Sequence, residues 1–218
     1  METPMTTHAD SLMDIWKTYS RWVFYISLAF FPTYPLCNWI TAQRTDTLGL
    51  YCNAELKIPF VPEFIWVYFS MYLLFLAPPL FLNVIQLQAL GKRLLIGTLL
   101  SSLAFLVIPS HLGFGRVIPE DPLYQSIFSG LFVVDQPHNM VPSLHIVFSS
   151  LILFAFLNAS AKQLSKFIWL LWLISIMAST LFVHQHHLTD IVSGLVVAIG
   201  IHLGIKTELP KFSSASAL

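Results

Sequence analysis

Six long apolar runs set the limits on how this chain can fold: Trp22–Ile40, Phe60–Val84, Leu94–Ser110, Pro142–Asn158, Phe167–Val183 and Leu188–Ile205. A helix needs about 20 mostly apolar residues to cross a hydrocarbon core. The runs are continuously apolar rather than alternating, which argues against a barrel. Within the long second run, Pro78 and Pro79 predict an end or a kink. Only 10% of residues are charged, against about 25% in a soluble domain, so a water-facing surface cannot be covered. Eleven basic residues balance eleven acidic ones, which leaves no basic field for a nucleic acid. The expectation is an all-α integral membrane bundle of six transmembrane helices. It forms one domain over 1–218, with a core at 22–206 and tails at 1–20 and 207–218.

Lysine and arginine placement predicts the orientation. With six spans, Lys17, Arg21, Lys92, Arg93, Lys162, Lys166, Lys206 and Lys211 fall on the side of the termini, and Arg44, Lys57 and Arg116 on the other. Both termini are therefore expected to be cytoplasmic. Loops 41–59 and 111–141 and the turn at 184–187 then share the opposite face. Cys37 and Cys52 lie near the same end of span one, either paired as a disulfide or free.

Polar residues gather on that face. His111, His138, His145, His184, His186 and His187 lie there or at its membrane boundary, with Asp135, Asp190 and Arg116. Ionisable groups at membrane depth are costly and mark function. Pro142-Ser143-Leu144-His145 opens span four, with Pro142 expected at the first helical position. A helix N-terminus offers free N–H donors and positive potential, a ready phosphate site, and Ser143 adds a hydroxyl or caps the helix. His186 and Asp190 are spaced i, i+4, so a helical turn would place them on one face. A carboxylate on one ring nitrogen fixes the tautomer and leaves the other as a lone pair, which makes a nucleophilic or basic histidine. A metal held by His184, His186, His187 and Asp190 is the chemical rival. No HExxH or similar spacing is present, so the expectation is no metal and no cofactor. A transporter or proton relay, and an inactive scaffold, are the non-enzyme alternatives. The clustering of polar groups at one boundary and the absence of an inverted repeat weigh against the transporter. The presence of every reactive position weighs against the scaffold.

At these residues the chain resembles the type-2 phosphatidic acid phosphatase superfamily, through Pro142-Ser143-Leu144-His145 and His186-His187-Leu188-Thr189-Asp190. The resemblance implies a six-helix membrane enzyme acting on a lipid phosphate. His186 would attack phosphorus, Asp190 would orient it, and His145 would protonate the leaving oxygen. Ser143 would hold phosphoryl oxygens. The Lys-x6-Arg-Pro motif of the phosphatase branch is missing, which leaves Arg116 as the candidate phosphate clamp. Thr180 stands where that branch carries an arginine, and His184 or His187 is the candidate replacement. The same pattern is similar to the inositol-phosphoceramide and sphingomyelin synthases, which transfer a phospho-alcohol head group. The expected partners are the bilayer and a phospholipid, polyprenyl or sphingolipid phosphate, with no nucleic acid. The sequence carries no sign of oligomeric state. The expected location is a bacterial inner membrane with the site facing the periplasm.

Overall fold

The computed structural model describes residues 10–207. Of the predicted tails at 1–20 and 207–218, residues 1–9 and 208–218, with Lys211, lie outside the described residues. Among the described residues eight α-helices follow in order: α1 (Leu12–Ala42), α2 (Ile65–Leu76), α3 (Pro78–Phe81), α4 (Val84–Val107), α5 (Pro122–Val134), α6 (Leu144–Ala159), α7 (Gln163–Phe182) and α8 (Leu188–Gly204). Among the described residues the only β-type pairings are two isolated bridges, Leu48 with Ser110 and His111 with His138. Three helices, α1, α4 and α7, are long and apolar enough to cross a membrane, and the apolar segments Pro62–Leu76, Pro122–Val134, Leu144–Ala159 and Leu188–Gly204 are shorter.

Local capping explains where the helices depart from the apolar runs. Ser11 accepts the Asp14 amide and starts α1 well before Trp22. The second run ends at Leu76, and Pro78 and Pro79 open the short α3. Asn83 and Gln86 then form a reciprocal capping box that starts α4 before Leu94. Lys92 and Arg93 consequently sit inside a helix rather than in a loop. Arg93 is buried and donates to the Ile205 carbonyl at the end of α8. Helix α5 was not expected within loop 111–141. Pro122 at its first position and Asp121, accepting the Leu123 and Tyr124 amides, account for it. Both cysteines are free.

Helix α6 is the axis of the core, buried along most of its length, with α4, α7 and α8 packed around it. Two glycines permit close approaches to α6. A Cβ at Gly97 would stand 3.0 Å from Val147, and one at Gly194 would stand 2.8 Å from the Ser143 carbonyl oxygen. Gly200 and Gly204, the spacing that suggested close packing in the sequence, face open space. The outer surfaces of the long helices are apolar, with Phe24, Leu28, Leu103, Phe167, Leu171 and Val196 exposed. A surface of this kind is stable against lipid rather than water.

Candidate functional site

The turn between α7 and α8 builds one half of the site. His184 takes a left-handed φ of 54°, the position that glycine usually fills after a helix. This lets the Gln185 and His186 amides both donate to the Thr180 carbonyl, at 2.9 and 3.1 Å. His187 caps α8, and Asp190, in the first turn, reaches back to accept the His187 amide at 2.8 Å. The same Asp190 Oδ2 lies 3.3 Å from His186 Nδ1. The pairing predicted for His186 and Asp190 is thus present, but His186 precedes the helix. Capping geometry, not a shared helical face, brings the two together.

The start of α6 builds the other half. Ser143 is fully buried as its N-cap, with Oγ accepting the Ile146 amide at 3.4 Å. Pro142 therefore precedes the cap instead of occupying the first helical position. The Ser143 amide donates to the Asp190 carbonyl at 3.1 Å, tying the two helix starts together. His145 then meets His186, with Nδ1 to Nε2 at 3.1 Å and the rings nearly edge to face. Asp190, His186 and His145 form one continuous hydrogen-bonded chain.

The chain continues beyond the residues that the sequence singled out. His145 Nε2 lies 2.6 Å from the Tyr68 hydroxyl, which is 3.2 Å from Asp135 Oδ2. Tyr34 donates to Asp135 Oδ1 at 2.7 Å. Tyr34 and Tyr68 escaped sequence reasoning because they sit in apolar runs. A tyrosine inside such a run, whose hydroxyl must find a partner when buried, was the available signal. These groups form the polar end of a cavity of about 840 Å³ among α1, α2, α4, α5 and α6, otherwise lined by side chains such as Phe30, Phe75, Leu87 and Phe148. Phe31, Tyr72 and Val134 on its wall are exposed, so the cavity reaches the outer apolar surface.

Other site candidates are held elsewhere. Arg116 donates to the Phe132 carbonyl at 2.8 Å and to the Asp135 carbonyl, and its guanidinium lies 4.6 Å from the Phe132 ring centroid. It thereby caps the end of α5. Burial pulls its pKa down, while the Asp135 charge opposes that shift. The His187 ring is stacked between Tyr51 and Phe114, and its Nε2 accepts the Gly113 amide at 2.9 Å. His184 stacks on Phe114 and bonds the Ile58 carbonyl. Thr180 is fully buried, with its hydroxyl on the Met177 carbonyl. Among the described residues no lysine or arginine contacts His145, His186 or Asp190, and no three His, Cys, Asp or Glu side chains form a metal-ligand group.

Glu55, which sequence reasoning passed over, fastens loop 41–59 to this site. It accepts the Leu188 amide at 2.8 Å and the Cys52 amide at 3.0 Å. Burial would raise its pKa, but these N–H donors outweigh it and hold the carboxyl below its usual range. His187 Nδ1 stands 3.4 Å from Glu55 Oε2 without hydrogen-bond geometry. Burial pushes the His187 pKa down despite the nearby Asp190 and Glu55 charges. Because Nε2 accepts the Gly113 amide, the ring in this geometry carries its one proton on Nδ1, and the contact is between a neutral ring and a carboxylate.

A family model described as PAP2 superfamily matches residues 94–212, more than half of the chain, and spans Ser143, His145, His186 and Asp190. Comparisons with curated proteins and with solved structures gave no match.

Proposed function

From the premise that the chain belongs to the PAP2 superfamily, whose members are phosphatases and phosphotransferases, we propose that it is a membrane-embedded lipid phosphatase working through a phosphohistidine. The observation that carries this reading is the Asp190–His186–His145 chain, whose His145 end lines an apolar cavity. Asp190 holds the proton on His186 Nδ1 and keeps Nε2 as the lone-pair nitrogen, which faces His145 Nδ1 until phosphorus takes that place. That lone pair attacks phosphorus, and an N–P bond forms as the P–O bond to the lipid breaks. The lipid oxygen keeps the electron pair and takes a proton from His145. Water then gives a proton to His145 as its oxygen bonds phosphorus. The N–P electron pair returns to His186, and inorganic phosphate leaves. Ser143 acts by fixing the first turn of α6, whose positive end stabilises the phosphoryl oxygens. His187 braces the turn through Gly113. The lipid chain occupies the cavity. In this reading α1, α2, α4, α6, α7 and α8 are the six spans, both termini are cytoplasmic, and the site faces the periplasm of a bacterial inner membrane.

A second reading is head-group transfer between lipids. It is favoured by the commitment of Arg116 to the α5 carbonyls, because a phosphodiester carries less charge than a monoester and suits a cation-poor site. The test uses purified protein in detergent with mixed lipids, assayed for phosphate release and head-group exchange with chelator present. Phosphate release that disappears in His186→Ala supports the phosphatase. Exchange with little phosphate release selects the transferase. Undiminished activity in His186→Ala refutes both.

A further inference from the structure

We propose that Tyr68 and Asp135 are positioning residues that hold His145 as the leaving-group acid, with Asp135 acting on the imidazolium through the single phenol of Tyr68. This rests on the reading of His145 and His186 given above. The Tyr68 oxygen lies 2.6 Å from His145 Nε2 and 3.2 Å from Asp135 Oδ2, and Tyr68 is 1% exposed. A phenol has one proton to give and lone pairs to receive. With His145 neutral and its proton on Nδ1, the Tyr68 O–H donates to the Nε2 lone pair. With His145 as imidazolium, Nε2–H donates to the phenol oxygen, and the phenol proton turns to the Asp135 carboxylate. The charged state of His145 thus acquires a carboxylate across one hydroxyl, while Nδ1 stays aimed at the phosphoryl side. When the P–O bond breaks, the lipid oxygen takes the Nδ1 proton and His145 returns to the neutral form.

The surroundings fit this assignment. The groups facing the His145 ring are Tyr68 from α2, His186 from the turn before α8 and Asp135 from the end of α5. Asp135 is in turn fixed on its other oxygen by Tyr34 from α1, and Arg116 holds its backbone carbonyl. Tyr34 and Tyr68 lie outside residues 94–212 and Asp135 lies inside them, so this device joins the part of the chain that the family model matches to the part that it does not reach. Tyr68, Asp135 and His145 all line the cavity that would hold the lipid chain.

The test compares two probes of different leaving group, dioctanoyl phosphatidate and p-nitrophenyl phosphate, with wild type, Tyr68→Phe, Asp135→Asn and His186→Ala in detergent. An alkoxide needs the acid; nitrophenolate leaves without it. Tyr68→Phe and Asp135→Asn are expected to lower kcat on phosphatidate by about 10²-fold with KM little changed. On p-nitrophenyl phosphate the loss should stay within about threefold. The basic limb of the phosphatidate pH profile should move down by about one pH unit, because the imidazolium has lost its stabiliser. Equal losses on both probes, or an unmoved limb, overturn the inference and leave the histidine chemistry intact. Should Tyr68→Phe melt early, Asp135→Asn carries the same comparison. Turnover that survives His186→Ala, or a wild type that turns over neither probe, overturns the underlying reading and the inference with it.

Discussion

The two halves of the site meet at Gly194, so a single methyl group there tests the architecture. In Gly194→Ala the new Cβ would stand 2.8 Å from the Ser143 carbonyl oxygen and 3.0 Å from Ile146 Cβ, where ordinary contact begins near 3.4 Å. Neither neighbour can swing aside, since one is backbone and the other is a Cβ in a buried helix. Helix α8 must therefore retreat from α6 by about half an ångström. His145 and His186, now 3.1 Å apart, would separate beyond good hydrogen-bond range. Overpacking of this kind costs about 1–3 kcal/mol, partly offset by the roughly 1 kcal/mol that alanine gains over glycine in a helix. Gly200→Ala, in the same helix but facing open space, calibrates that gain. A displacement of about 1 Å near the chemistry costs about 10²-fold in rate, so half of it costs about tenfold. The assay pairs thermal melting with phosphate-release kcat in one detergent. Gly194→Ala should melt below Gly200→Ala and turn over about tenfold more slowly. If the two variants match in both measurements, the close approach of α6 and α8 is not what sets the site geometry.

Other substitutions probe the neighbouring parts. Asp190→Asn keeps an oxygen for the His187 amide but removes the charge behind His186. Its melt should stay within about 1 kcal/mol of wild type, while kcat falls by about 10³-fold or more. Acidification should loosen loop 41–59. Glu55 has a folded pKa below its unfolded value, so the stability it gives is full above the ordinary carboxylate range and is lost as pH falls through the folded pKa. His187 also resists protonation when folded, so stability should begin to drop below about pH 6.5. Melting curves across this range should slope downward with acid, and Glu55→Gln should flatten the lower part. Thr180→Arg, which installs the arginine of the phosphatase branch, places a guanidinium where the side chain is fully buried. It should lower the melting temperature sharply, an unpaired buried charge costing several kcal/mol, and should not raise activity.

Much of the chemistry was legible in the sequence because it depends on residue type at short range. His186 and Asp190 lie four residues apart, so any compact turn lets them meet, and a cap was one of the two roles that the type of Ser143 allowed. The apolar runs fixed an all-helical fold, since only paired backbone survives away from water. Helix boundaries were less legible. Caps at Ser11, Asn83 and Asp121 start helices at points that the six apolar runs do not mark. What the tertiary structure decided is everything that depends on distant residues meeting. The placement of Tyr68, Asp135 and Tyr34 behind His145 joins residues up to 101 positions apart. Arg116 and His187 looked free in sequence, but each is held by a carbonyl, an amide or an aromatic face that only packing supplies. A residue's type states which bonds its side chain can make. Which partner it actually takes depends on which helices lie side by side, and here that follows from glycines and caps that bring α4, α6 and α8 into contact.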